Sequence, residues 1–181
     1  MDEKRKTKIS KFLSLILRHK PETIDLELDE NGWADVKELL EKSARNGNSF
    51  SREELESVVE TNDKKRFAFD ARREKIRASQ GHSIEVEIEF EEKTPPKTLY
   101  HGTAEKNVEA ILQNGLQKMQ RHHVHLSTEI ETARAVGIRY GKPVIFRIDT
   151  EKMLEANFKF HVSANGVWLV ESVSPEFLEI L

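Results

Sequence analysis

A mixed α+β fold in two parts is what this sequence predicts, and three observations predict it. Apolar residues recur at helical spacing through the first sixty positions, and polar-apolar alternation takes over near residue 66. An acidic stretch with two prolines then leads into a second portion where strand-like and helix-like segments interleave.

Ile9, Phe12, Leu13, Ile16 and Leu17 share one helical face, and Pro21 disfavours helical geometry at Lys20. A first helix is therefore expected over residues 6–19, with Arg18 and His19 in its last turn. Asn31-Gly32 signals a turn before Trp33, and Val36, Leu39 and Leu40 mark a second helix that ends near Asn46-Gly47. Ser51-Arg52-Glu53-Glu54 is a capping box: the serine caps the amide three residues on and Glu54 reaches back. A third helix follows through Val59. Arg66-Phe67-Ala68-Phe69 and Lys75-Ile76-Arg77-Ala78 alternate on either side of a polar turn, which predicts a hairpin. Three short helices and a basic hairpin form a winged-helix pattern, common in modules that touch nucleic acid, although fold alone proves no function.

Gly81-His82-Ser83 precedes an alternating run of Ile84, Val86, Ile88 and Phe90, and Glu91-Glu92-Lys93-Thr94-Pro95-Pro96 reads as the linker. Beyond it the pattern predicts a strand at residues 99–103, a helix at 106–114 stopped by Gly115, and a strand at 124–127. A helix at 132–140 and strands at 144–148 and 167–173 complete the mixed second half. No internal repeat is present.

With 181 residues, 37% hydrophobic and 34% charged, the composition is that of a globular chain with a sizeable core. The absence of cysteine excludes disulfides, thiolate metal sites and cysteine nucleophiles. No apolar run reaches membrane-spanning length, and the charged start lacks a signal-peptide pattern, so a cytoplasmic protein is expected. The net charge of -3 argues against bulk attraction to nucleic acid, yet residues 64–77 carry seven basic and two acidic side chains. That patch suits a polyanion.

Arg18 beside His19 joins a permanent charge with a planar fork of donors to a proton carrier that titrates near neutrality. Phosphate chemistry needs several such cations around one group, and Arg66 and Arg121 supply further guanidiniums from separate segments. His122, His123 and His125 invite a metal reading, but no His-Glu-x-x-His helix or other ligand spacing accompanies them, so no metal is assigned. His101-Gly102-Thr103 offers a ring, a site of close backbone approach and a hydroxyl, all suited to a ribose or nucleotide amide. Neither a Rossmann glycine fingerprint nor a P-loop exists, so any dinucleotide binds another way.

Leu17-Arg18-His19-Lys20-Pro21, Asp63-Lys64-Lys65-Arg66-Phe67 and Ile76-Arg77-Ala78-Ser79-Gln80-Gly81-His82-Ser83 are followed by two more segments, Tyr100-His101-Gly102-Thr103 and Arg121-His122-His123-Val124-His125-Leu126-Ser127. In this order, and over nearly the whole chain, they resemble the NAD-dependent RNA 2′-phosphotransferase family. The resemblance implies a winged-helix RNA-binding lobe over residues 1–93 and an ADP-ribosyltransferase-like, NAD-binding lobe over residues 94–181, with the active site between them. It implies two steps. An internal RNA 2′-phosphate attacks the nicotinamide ribose of NAD and expels nicotinamide. The ribose 2″-hydroxyl then attacks that phosphate, releasing 2′-hydroxyl RNA and ADP-ribose 1″,2″-cyclic phosphate.

The family's catalytic tetrad maps by resemblance onto Arg18, His19, Arg66 and Arg121. The cofactor-binding positions it implies are His101, Gly102, Thr103, His123, His125 and Ser127, with the choice between the two histidines open. Lys64, Lys65, Arg77, Gln80, Gly81, His82 and Ser83 are implied as RNA-binding. Ser79 stands where members often carry asparagine, and Asn165-Gly166-Val167-Trp168-Leu169 places apolar residues where many ADP-ribosyltransferases hold a late glutamate. NAD is then a co-substrate, no metal is required, and the partner is RNA with an internal 2′-phosphate, transfer RNA being one such class. A monomer is expected. Two competing functions are a mono-ADP-ribosyltransferase acting on terminal nucleic-acid phosphates and a non-catalytic nucleic-acid-binding module. The first leaves the second-step residues unnecessary, and the second leaves His101-Gly102-Thr103 without a task.

Overall fold

Helix α1 (Glu3–Arg18) begins where the Asp2 carboxylate accepts the Arg5 amide at 2.7 Å, one turn earlier than the apolar spacing predicts. Hydrophobic periodicity cannot see a polar first turn, whereas a capping carboxylate can start one. The computed structural model describes residues 1–88 and 90–181 and divides the chain into two units, Met1–Glu89 and Phe90–Leu181.

In the first unit, strand β1 (Ala34–Asp35) runs directly into helix α2 (Val36–Arg45), whose first turn is capped by the Asp35 carboxylate on the Glu38 amide at 2.8 Å. Helix α3 (Arg52–Glu60) carries both halves of the expected capping box. Strands β2 (Phe67–Phe69) and β3 (Lys75–Ala78) form the hairpin, and β1 completes an antiparallel sheet in the order β1-β3-β2. The Asp70 carboxylate accepts the amides of Glu74 and Lys75 at 2.8 and 2.9 Å, closing the hairpin turn. Ala34 pairs with Ile76 and Phe67 with Ala78, and all four side chains are buried with Leu13, Ile16, Leu17, Leu39 and Leu55. Alternation then puts Ala68 and Arg77, which pair with each other, on the opposite face.

The second unit contains β4 (Glu91–Glu92), β5 (Thr98–Ala104), α4 (Val108–Asn114), β6 (Leu116–Gln117), β7 (Val124–Leu126) and α5 (Ile130–Gly137). After these come β8 (Pro143–Asp149), α6 (Thr150–Glu155), β9 (His161–Val162), β10 (Trp168–Val170), β11 (Ser172–Val173) and β12 (Leu178–Ile180). Strand orders are β4-β9-β10-β7 and β12-β8-β5, with β11 paired to β6. The antiparallel bridge between Tyr100 and Ser127 ties β5 to the residue after β7. Leu99, Val124, Leu126, Ile148, Met153, Phe160, Trp168 and Val170 belong to its core.

Further expectations change. Glu91 and Glu92 belong to the second unit, because they pair with Val162 and His161, so the division falls at 89/90 and not at 93/94. The strand expected at 167–173 is two, β10 and β11, which join different sheets on either side of exposed Glu171. The helix expected at 132–140 starts at Ile130 and ends at Gly137, followed by a 3-10 turn, Ile138–Tyr140. The alternating residues 85–88 lie outside any strand, and the Glu87 amide donates to the Glu30 carbonyl at 2.7 Å.

Glu54 accepts from the Ser51 amide at 3.0 Å and from Arg5 at 2.6 and 2.9 Å, and these donors lower its pKa from 4.5 to about 2. The folded form prefers the charged carboxylate, so the stabilisation is full above the unfolded pKa near 4.5 and is lost as pH falls toward 2. In urea titrations, the stability gap between the wild type and Glu54→Gln should close across that window. Ser51→Ala should cost about 1 kcal/mol at neutral pH.

Candidate functional site

In the first unit the site starts from the end of α1. The amides of His19 and Lys20 both donate to the Leu15 carbonyl, at 3.0 and 2.8 Å, and Pro21 opens a 3-10 turn, Pro21–Ile24. A cation at this carbonyl end is favourable, which suits Arg18 to its position. Its guanidinium lies 5.9 Å from the Phe67 ring centroid and donates to the Arg66 carbonyl at 3.4 Å. His19 Nδ1 is 2.9 Å from Ser83 Oγ, while the Ser83 amide donates to the Arg18 carbonyl at 2.9 Å.

The Ser79 amide donates to the same Arg66 carbonyl at 2.8 Å, and its hydroxyl donates to the Lys65 carbonyl at 2.8 Å. These bonds hold a turn in which Lys65 has φ 41, a left-handed conformation that side chains rarely adopt. Thus Arg18, His19, Arg66, Ser79 and Ser83 come together from α1, the start of β2 and the segment after β3. Lys64 and Lys65 are exposed and Gly81 is partly buried. His82 is buried; a Cβ added at Gly32 would lie 3.5 Å from its Nε2. Gln80 Oε1 is buried without a hydrogen-bond partner among the described residues, an acceptor whose desolvation is not offset there.

In the second unit, His125 links two of the expected residues. Arg121 Nη1 donates to His125 Nδ1 at 3.1 Å, and the His125 carbonyl accepts from His101 Nδ1 at 3.1 Å. A carbonyl only accepts, so His101 carries its proton on Nδ1 and leaves Nε2 as an acceptor. Burial lowers the His101 pKa, and the Arg121 charge lowers it further against the opposing pull of the His125 carbonyl. His101 is therefore a neutral ring at pH 7.

His123 lies elsewhere, edge-on to Phe90 with centroids 5.6 Å apart and 6.1 Å from the His161 ring. Burial also lowers its pKa, followed by the neighbouring His161, His122 and Lys118. Ser127 is paired to Tyr100 through both backbone amides, at 2.8 and 2.9 Å, and its hydroxyl accepts the Glu129 amide at 3.1 Å. Thr103 is buried and its hydroxyl accepts from Asn107 at 3.1 Å. Gly102 permits a close approach of helix α5: a Cβ there would sit 1.7 Å from the Ala133 carbonyl oxygen. Among the described residues, no group of three histidine or acidic side chains is arranged to hold a metal ion.

Sequence patterning does not single out Asn107, Phe90 or His161 for this neighbourhood, since their contacts cross between elements. In the sequence Trp33 only follows the Asn31-Gly32 turn signal, yet its ring lies 4.5 Å beneath the Arg77 guanidinium.

An NMR titration of His101 should give a pKa below the ordinary 6.5, and Arg121→Ala should raise it only in part, because burial is the larger cause. A value at or above 6.5 contradicts the neutral ring. Gly102→Ala should destabilise the second unit by about 3 kcal/mol, read as a drop in melting temperature, because the added methyl meets backbone.

A family model described as RNA 2'-phosphotransferase, Tpt1 / KptA family, matches residues 4–172. Among curated relatives, a protein of Trichormus variabilis named "Probable RNA 2'-phosphotransferase" is 55% identical over 181 residues, covering 100% of both chains. A relative of the same name from Hahella chejuensis is 54% identical over 100% of this chain and 97% of its own. Another, from Fusobacterium nucleatum, is 54% identical over 95% of this chain and 97% of its own.

Proposed function

This chain belongs to the RNA 2'-phosphotransferase, Tpt1 / KptA family, and on that premise we propose that it transfers an internal 2′-phosphate from RNA to NAD in two steps. A 2′-phosphate oxygen displaces nicotinamide from the ribose carbon of NAD. The ribose 2″-hydroxyl then attacks phosphorus, and the RNA 2′-oxygen leaves with a proton. The products are 2′-hydroxyl RNA, nicotinamide and ADP-ribose 1″,2″-cyclic phosphate.

The observation that carries this reading is the grouping of Arg18, His19 and Arg66 around shared backbone bonds in the first unit. Guanidiniums suit a phosphate whose oxygens gain charge during transesterification, and His19 suits the transfer of a proton to or from an oxygen. The resemblance adds Arg121 as the third guanidinium assigned to the reaction. Neutral His101, with Nε2 as acceptor, is suited to a ribose hydroxyl of NAD, whereas a charged ring would not accept. Gln80 Oε1 offers a second buried acceptor for a substrate hydroxyl. The first unit is read as a winged-helix lobe and the second as an ADP-ribosyltransferase-like lobe.

The test follows labelled RNA bearing one internal 2′-phosphate. Product should appear only with NAD, together with the cyclic ADP-ribose phosphate. His19→Ala and Arg121→Ala should accumulate RNA with ADP-ribose on its 2′-phosphate, because the first step uses a nucleophile that is already anionic. Lysine in place of any of the three arginines should slow product release at least tenfold, roughly, since a point charge loses the bidentate fork. Release of inorganic phosphate without NAD refutes the transfer. Equal slowing of substrate loss and product formation in both alanine variants, with no intermediate, refutes the assignment to the second step.

A further inference from the structure

Trp33 is presented on the polar face of the first unit's sheet by a turn built for it. The Asp29 carboxylate accepts the amides of Asn31 and Trp33 at 3.1 and 2.9 Å, the Asp29 amide donates to the Trp33 carbonyl at 2.9 Å, and Lys75 of β3 clamps the same carboxylate at 2.9 Å. Burial opposes the charge on Asp29, but Lys75 and the Trp33 and Asn31 amides together lower its pKa. Gly32, with φ +76, supplies a conformation that side chains rarely adopt. A large aromatic is thereby fixed one position before Ala34, which pairs with Ile76. In antiparallel register that position lies opposite Arg77, and the Arg77 guanidinium sits 4.5 Å from the Trp33 ring centroid.

Burying an aromatic on the inner face needs no such scaffold, and Ala34 and Ile76 already fill that face. On the outer face, a guanidinium stacked on an indole loses freedom but not its donors, because the ring engages the face of the fork and leaves its edge N–H groups available. Arg77 pairs with Ala68, a small side chain that leaves the neighbouring face flat, and Arg66 immediately precedes β2, two residues before Ala68.

We infer that Trp33 and Arg77 form an RNA-backbone subsite flanking Arg66, in which Trp33 is a positioning residue that holds the Arg77 fork in the plane needed to grip a phosphodiester. The ligand is single-stranded RNA next to the 2′-phosphorylated nucleotide. This inference rests on the reading of the chain as an RNA 2′-phosphotransferase, but its primary measurement is binding and does not require turnover.

Affinity for a short single-stranded RNA with one internal 2′-phosphate would be measured without NAD, for the wild type, Trp33→Ala, Trp33→Phe, Arg77→Ala and the double alanine variant. Trp33→Ala should weaken binding about tenfold, and Trp33→Phe, which keeps a ring, should recover to within about threefold of wild type. The double variant should bind no more than about twofold worse than Arg77→Ala, because Trp33 acts through Arg77. Arg77→Ala should also reduce the salt slope of binding by about one phosphate contact. In turnover assays the loss should appear in KM for RNA, with kcat and KM for NAD unchanged.

A merely structural Trp33 predicts the opposite: a lower melting temperature with unaltered RNA affinity, which overturns the proposal. Additive losses in the double variant, or Trp33→Phe as weak as Trp33→Ala, also overturn it. Should Trp33→Ala fail to fold, Arg77→Gln and Trp33→Phe carry the decision, and an unchanged salt slope in Arg77→Gln overturns the subsite. An inactive wild type that still binds RNA in this pattern counts against the catalytic reading and leaves the subsite standing.

Discussion

The end of α1 constrains the first unit's site more than any other feature. Proline has no amide to offer and its ring restricts the residue before it, so the chain leaves the helix within one residue of Arg18. The Leu15 carbonyl takes both following amides, at 3.0 and 2.8 Å, and this double acceptance fixes where Arg18 and His19 emerge. Leu13, Ile16 and Leu17 are fully buried, so the helix cannot rotate about its axis without exposing its packed face. Position and direction of these two side chains are therefore set by packing one turn earlier. The Ser83 amide and hydroxyl then fasten the loop after β3 to that point, and Ser79 fastens the turn before β2.

In the second unit the corresponding constraint is electrostatic. Arg121 and His101 both depend on His125, one through its ring and the other through its carbonyl. The fixed charge of Arg121 works with burial to keep His101 neutral. A backbone carbonyl specifies the tautomer without adding a charge, and that leaves a single acceptor edge on His101. The same strand carries His123 two residues earlier, but its neighbours are Phe90 and His161, so equal spacing along one strand leads to different surroundings.

Close packing explains a residue whose type alone suggested ligand contact. Gly102 lies on β5 where helix α5 crosses, and the Ala133 carbonyl occupies the space a side chain would need. The glycine keeps helix and strand in contact, and so fixes the strand that carries His101. Its role in this structure is carried through backbone approach between elements, with Thr103 similarly engaged by Asn107.

Sequence by itself determined the local elements whose signals are local. The capping box at Ser51, the polar turn at Asp70, the proline after α1 and the alternation of β2 and β3 all act within a few residues, and the five ordered segments sufficed to point to the family that the matches then showed. Short strands that exist only through partners were not legible: Glu91-Glu92 carries the composition of a linker and becomes a strand because His161 and Val162 pair with it. The break between β10 and β11 follows from pairing with two different sheets. Tertiary structure alone decided that His125, not His123, adjoins His101 and Arg121, and that Trp33 supports Arg77. The physical reason is the same in each case: caps, turns and periodicity are written in neighbouring residues, whereas ring contacts, tautomers and strand partners depend on which distant segments the packed chain brings within a few ångströms.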